Sequence, residues 1–345
     1  MKITYISHAT LLIEVDGVKI VTDPWVKGAS YCNQWFLFPK ALNPNLISDA
    51  DYVVYSHGHE DHLNPESLQL INKNATIFYP YSWYGGTTEF FNEQGFKNIH
   101  EVVNEKTVQI SRNVKMTYFS NNLDNVIVIE SGDTVIVNVN DALPSASASM
   151  IDYFIAKIKK RWKKIDYVFS SYGGAAYFPN AVHFVNKNDI EIGEARELFF
   201  ITNFCKIVSG LNPKMAVPFA TDFVLLDDNQ RWINKVKFPR EKIKEFYNSF
   251  TKGATGVEII EAYSNDYFVD NKFIQASIYH QKKLVGNLLD TIDAEYKTEI
   301  EAKRNLTYLT KDESKLVIEK IKQHILDKQY IIPEPVRKKI KFSLK

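Results

Sequence analysis

Apolar residues come first in short runs and later in helical spacing. Leu11-Leu12-Ile13-Glu14-Val15 and Val18-Lys19-Ile20-Val21-Thr22 flank Asp16-Gly17, which predicts a two-residue hairpin. Asp23-Pro24-Trp25 closes the second strand. Ala50 to Tyr55 reads as a short buried strand rich in β-branched and aromatic residues. Further strands are predicted at 75–79, 107–110, 114–119, 126–130 and 134–139, with turns at Gly85-Gly86 and at Ser131-Gly132-Asp133. Asn64-Pro65-Glu66 reads as the start of a helix over 65–73: an N-cap, Pro at the first helical position and an acid in the first turn.

From residue 141 the pattern alternates. Strands are predicted at 165–170 and 215–219, and a helix over 189–209 ends at Gly210. Strands with helices on both flanks predict an α+β fold of two face-to-face sheets with helices outside. From about residue 240 the chain turns polar and helical. Thr310 and Glu313 form a capping box. Val317, Ile318, Ile321 and Ile325 form one apolar stripe, expected to pack on the main body. The expected organisation is a domain over 1–240 and a mainly helical extension over 241–345 packed on it.

Composition narrows the class. The 345 residues carry a net charge of +1, so no global field draws in nucleic acid, and no apolar run is long enough to span a membrane. The basic run 157–164 and the basic tail 336–341 are read as solvated surfaces. Cys32 and Cys205 alone make no disulfide framework and suggest a reducing, cytoplasmic setting. They also exclude a Cys-held iron–sulfur cluster or four-Cys zinc module within these residues.

The chemistry concentrates in Tyr55-Ser56-His57-Gly58-His59-Glu60-Asp61-His62, between the end of a strand and the start of a helix. In α/β sheets that edge is where active sites form. Three imidazoles and a carboxylate converging there predict a transition-metal site. Glu60 is read as a solvated side chain.

With Ser7-His8-Ala9-Thr10, Thr22-Asp23-Pro24-Trp25 and a later strand ending at Asp141, the chain resembles the metallo-β-lactamase superfamily. The resemblance implies a four-layer αβ/βα sandwich holding one or two metal ions. It implies His57 and His59 at one ion, Asp61 and His62 at the other, and Asp141 bridging. Asp23-Pro24-Trp25, Gly28, Trp35, Pro39, Asn138 to Asp141, Gly174 to Pro179 and Pro213 to Ala220 look like the CMP-N-acetylneuraminate hydroxylase group. That group oxidises a nucleotide sugar with O₂ and receives electrons from a Rieske cluster, for which this chain has no ligands.

Hydrolytic members of the superfamily supply two further histidines. Here the corresponding stretches, Phe119 to Asp124 and Pro218 to Asp222, contain none. Asp124 is the candidate substitute and Asp222 a weaker one. His8, Asp23 and His183 are expected to stand behind the ligands or line the pocket, and Asp61 is the candidate catalytic carboxylate. Tyr81, Trp83, Tyr84 and Trp35 could stack on a substrate ring; His100, His280 and His324 receive no role. The favoured reading is an iron-dependent oxidase or hydroxylase acting on a nucleotide sugar or other small anionic metabolite, with a separate electron-donor protein and no membrane or nucleic-acid partner. A zinc- or manganese-dependent lactonase or phosphodiesterase is the alternative, and a metal-binding protein without turnover the second.

Overall fold

The computed structural model describes residues 1–81, 86–122, 124–174, 185–281, 288–306 and 309–327, the last four of these without their side chains. Two compact units are present, Met1–Lys297 and Thr298–Lys345. The first runs past the boundary expected at residue 240, because late strands complete both of its sheets.

The first sheet contains β1 (Lys2–Ser7), β2 (Thr10–Val15), β3 (Val18–Thr22), β6 (Tyr52–Val54), β7 (Thr76–Pro80), β8 (Asn98–Val102), β17 (Tyr267–Val269) and β18 (Lys272–Ile274). Its order is β18-β17-β1-β2-β3-β6-β7-β8. The second contains β9 (Thr107–Gln109), β10 (Val114–Asn121), β11 (Asp124–Ser131), β12 (Thr134–Asn140), β13 (Tyr167–Ser171), β14 (Met215–Phe219) and β16 (Glu258–Ile259), in the order β16-β14-β13-β12-β11-β10-β9. A small third sheet joins β4 (Ala29–Ser30), β5 (Trp35–Leu37) and β15 (Phe223–Leu225).

Side-chain alternation builds the layers. Ile3, Leu11, Ile13 and Ile20 of the first sheet meet Met116, Ile127, Ile129, Ile136 and Phe169 of the second in one central core. The opposite face of the first sheet, with Val21, Val53 and Ile77, packs against Leu68 of α1 (Pro65–Leu68) and Phe91 of α2 (Thr87–Glu93). The opposite face of the second, with Val126, Val128 and Val137, packs against Ile151, Phe154 and Ile158 of α3 (Ala148–Arg161) and Phe204 and Val208 of the helix Asp189–Leu211. Central strands buried on both faces explain their near-continuous apolar runs. The result is the four-layer metallo-β-lactamase sandwich, with a helical C-terminal region.

Local chemistry follows the predicted signals in most places. Asp16 and Gly17 both take left-handed backbone, with φ of 53° and 76°, as a tight hairpin requires. Asn64 caps α1 by accepting from Ser67 N at 2.9 Å. Thr310 and Glu313 bond reciprocally, the Glu313 carboxylate accepting from Thr310 N at 2.8 Å. Two expectations differ. The helix after Asn64 ends at Leu68 rather than 73, because Asn72 draws the following backbone into a turn, accepting from Asn74 N and Ala75 N. In the helix Lys311–Asp327, Val317 and Ile321 of the expected stripe are exposed and Ile318 is half-buried, while the side chain of Ile325 lies outside those described.

Topology gathers the loops of interest. β1 and β3 both lie antiparallel to β2, β3, β6 and β7 run parallel, and β12, β13 and β14 run parallel. The segments after β1, β3, β6 and β12, and the β10–β11 turn, therefore meet at one rim of the sandwich.

Candidate metal centre

β6 ends at Val54, and the chain passes through Tyr55 and Ser56 into His57. A single helical turn follows, with His62 N and Leu63 N both donating to His59 O at 3.0 and 2.7 Å. That turn sets His57 beside both other histidines, with ring centroids 4.5 Å from His59 and 4.1 Å from His62. His57, Asp61 and His62 are buried, whereas His59 is exposed. His59 thus marks the open side.

Three donor groups assemble there, each with ligand atoms within 4.8 Å of one another: His57, His59 and Asp124; His57, His62 and Asp141; and His8, Asp61 and His62. Asp124 opens β11 and reaches within 3.7 Å of His57 Nε2. Asp141 follows β12, one residue after the left-handed Asn140, with Oδ2 3.3 Å from His62 Nε2. The sequence-predicted residues His57, His59, Asp61, His62, Asp124 and Asp141 are all brought together. His57 Nε2, His62 Nε2, Asp124 Oδ1 and Asp141 Oδ1 are buried without an aligned hydrogen bond. Leaving such atoms unpaired is costly, and lone pairs converging from imidazole and carboxylate are what a transition metal takes. The donor set therefore fits a metal ion.

Asp23 fixes how the imidazoles face the site. It is fully buried; Oδ1 accepts from Ser56 N at 2.7 Å and Oδ2 from Ser56 Oγ at 2.7 Å. Since Ser56 Oγ gives its proton to Asp23, it accepts from His57 Nδ1 at 2.9 Å. His62 Nδ1 lies 3.1 Å from Asp23 Oδ2 and donates to it. Each ring thus carries its proton on Nδ1 and turns the Nε2 lone pair inward, the tautomer a metal ligand needs.

Asp61 is held at both oxygens. Tyr31 Oη donates to Oδ1 at 2.5 Å, and His8 Nε2 lies 3.2 Å from Oδ2. Burial works to raise the Asp61 pKa, but His62, His8 and the Tyr31 bond outweigh it, so the carboxylate stays ionised. Burial, followed by the charge of Asp61, pushes the Tyr31 phenol up, so it remains a donor. Burial and the neighbouring histidines lower His57, favouring its neutral form. Burial opposes charge on His62, yet Asp61, Asp23 and Asp141 prevail and raise it in the metal-free protein, so a metal ion would take the place of the proton on Nε2 that faces Asp141.

Asp124 behaves differently. Burial first, then the charge of Asp141, pushes it up to about 6. Its folded value lies above the ordinary carboxylate value near 4, so in the metal-free protein Asp124 contributes stability below that ordinary value that is lost as pH rises through about 6. A metal ion demands the ionised form. Cobalt uptake is expected to release more protons at pH about 5 than at pH about 7, and that excess should be smaller by roughly one proton in Asp124→Asn. An indicator-dye measurement showing equal release in the two proteins would remove Asp124 from the donor set.

Asp222 is not part of this cluster. Its carboxylate is paired with Tyr5 Oη and Arg240 on the far side of the His8 backbone. His183, Trp83 and Tyr84 lie outside the described residues. Tyr81 is exposed, and Trp35 is stacked on Phe223 with centroids 3.8 Å apart rather than free for a ligand. Glu60 is not a solvated side chain: Oε2 accepts from Tyr31 N at 2.6 Å. Ser56 and Tyr31 went unnoticed in the sequence. Adjacency to His57 could have flagged Ser56, but nothing in the spacing points to Tyr31.

Residues 2–139 match the beta-lactamase superfamily domain. A protein of Mycolicibacterium smegmatis named as a Rieske 2Fe-2S iron–sulfur protein is 29% identical over 192 residues, covering 52% of this chain and 35% of that protein. Cytidine monophosphate-N-acetylneuraminic acid hydroxylase of Cricetulus griseus is 24% identical over 268 residues, covering 71% and 44%. The chain thus spans less than half the length of these relatives. Among solved structures, CmlA, a diiron β-hydroxylase from Streptomyces venezuelae, superposes with a TM-score of 0.50 at 17% identity, over 75% of this chain and 52% of that one. The isothiocyanate hydrolase from Delia radicum gut bacteria superposes with a TM-score of 0.52 at 15% identity, over 79% and 100%. Both structural likenesses concern the fold. No described helix is long and apolar enough to cross a membrane.

Proposed function

We propose that the chain is an iron-dependent oxidase or hydroxylase acting on a nucleotide sugar or another small anionic metabolite. The observation that carries this reading is the carboxylate-rich donor set. Asp124 stands with His57 and His59 where hydrolytic relatives offer a third imidazole, and Asp222 on the late segment is committed to Arg240. Replacing imidazole by carboxylate makes a site harder and more anionic, which favours iron or manganese over zinc. Bound iron would supply O₂ binding and electron transfer.

The chain's own residues have separable tasks. Asp23 and Ser56 orient His57 and His62, and His8 and Tyr31 hold Asp61. Asp61, ionised and with Oδ2 turned toward His62, is the carboxylate that would hold the second ion and orient a group bound beside it. Substrate approaches from the side where His59, Asp124 and Asp141 are less buried. Cys32 and Cys205 cannot hold a Rieske cluster, so electrons would come from a donor outside these residues, consistent with the names of the relatives.

The test is elemental analysis of protein purified without added metal, combined with O₂ consumption in the presence of a chemical reductant. Iron near two equivalents and reductant-dependent O₂ uptake are expected. Zinc alone, no O₂ uptake and turnover of a lactone or phosphodiester would replace this reading with the hydrolytic one.

A further inference from the structure

The segment from Gly28 to Trp35 is tied to the histidine loop along its length. Asn64 Nδ2 donates to Ala29 O at 3.3 Å, Ser30 Oγ donates to Glu60 O at 3.1 Å, and Tyr31 N donates to Glu60 Oε2 at 2.6 Å. Tyr31, Cys32 and Asn33 are three consecutive non-glycine residues in left-handed backbone, with φ of 53°, 55° and 60°. Such a run persists only where its surroundings over-determine it. Here the anchors are Glu60 on one side and Trp35 on the other; Trp35 meets the Tyr31 ring edge-on at 4.7 Å and stacks on Phe223. The strained turn delivers the phenol to Asp61.

We infer that Tyr31 is a positioning residue for Asp61, and that this strap selects which carboxylate oxygen faces the second metal. The phenol occupies Oδ1 at 2.5 Å, leaving Oδ2 turned toward His62 Nε2, 3.8 Å away, and His8 Nε2, 3.2 Å away. Without the phenol the carboxylate is free to rotate and offer either oxygen. Groups that orient a ligand in this way shift metal affinity about 10–100-fold. The inference rests on the metal-site reading above.

Cobalt(II) alone is the probe, titrated against a competing chelator and followed by its visible spectrum. Tyr31→Phe keeps the ring and its contact with Trp35. It is expected to leave the first equivalent unchanged and weaken the second roughly 10–100-fold. In an Asp61→Ala background the same substitution should have no further effect, because Tyr31 acts through Asp61. Unchanged uptake of the second equivalent by Tyr31→Phe, or an effect that persists in Asp61→Ala, overturns the inference while leaving the metal site standing. Wild-type protein that takes up a single equivalent overturns the inference alone, and protein that takes up none overturns the metal-site reading with it.

Discussion

Asp141→Asn should strip the centre of at least one metal and lower turnover by about a thousandfold or more, the scale expected when several kcal/mol of charge stabilisation by a metal are lost. Asp141 is the residue whose carboxylate faces His62 while its other oxygen is buried without a partner. In the metal-free protein the same substitution removes two opposed effects: the charge of Asp141 pushes Asp124 up, but it also attracts the buried His62 ring. The thermal midpoint of chelator-treated Asp141→Asn is therefore expected to stay close to that of chelator-treated wild type, while metal-loaded wild type stands above both. A variant that keeps as many metals per chain as wild type would contradict the assignment.

Asp23→Ala should do more damage to the fold than any ligand substitution. Its carboxylate is the single acceptor for Ser56 N and Ser56 Oγ and the partner of His62 Nδ1, all fully buried. Removing one member of a buried pair costs about 3–5 kcal/mol, since the partners stay behind unsatisfied. The imidazoles of His57 and His62 also lose the contacts that fix their tautomers, so metal affinity should fall about 10–100-fold. Denaturant unfolding of the metal-free protein isolates the first effect, and metal titration the second. An unfolding free energy within about 1 kcal/mol of wild type would show that Asp23 is not the keystone described here.

Much of this was legible in the sequence because the signals were local. The Asp16-Gly17 turn, the Asn64 cap and the Thr310–Glu313 box are each determined by a few neighbouring residues, and all three form. His57 to His62 was legible for the same reason. Asp124 and Asp141 came into view through the resemblance to the metallo-β-lactamase superfamily. What stayed hidden depends on distance along the chain. Tyr31 contacts Asp61 from 30 residues away, through a strained turn with no glycine to announce it. Asp222 resembled a ligand until the fold set Arg240 beside it. The late strands Tyr267–Val269 and Lys272–Ile274 are too short to register against a helical background; the first pairs with β1 and the second with the first, which extends the first compact unit beyond the expected boundary.

The donors do not all come from one sheet. His57, His59, Asp61 and His62 hang from the first, while Asp124 and Asp141 hang from the second. An ion at this rim would act as a clasp between two slabs that otherwise meet through greasy side chains and a few hydrogen bonds, such as Tyr118 Oη to Tyr55 O and Asn125 Nδ2 to Ser56 O. Its escape would mean giving up donors on both slabs, so exchange with free metal should be slow and should quicken under the same conditions that let the rim breathe.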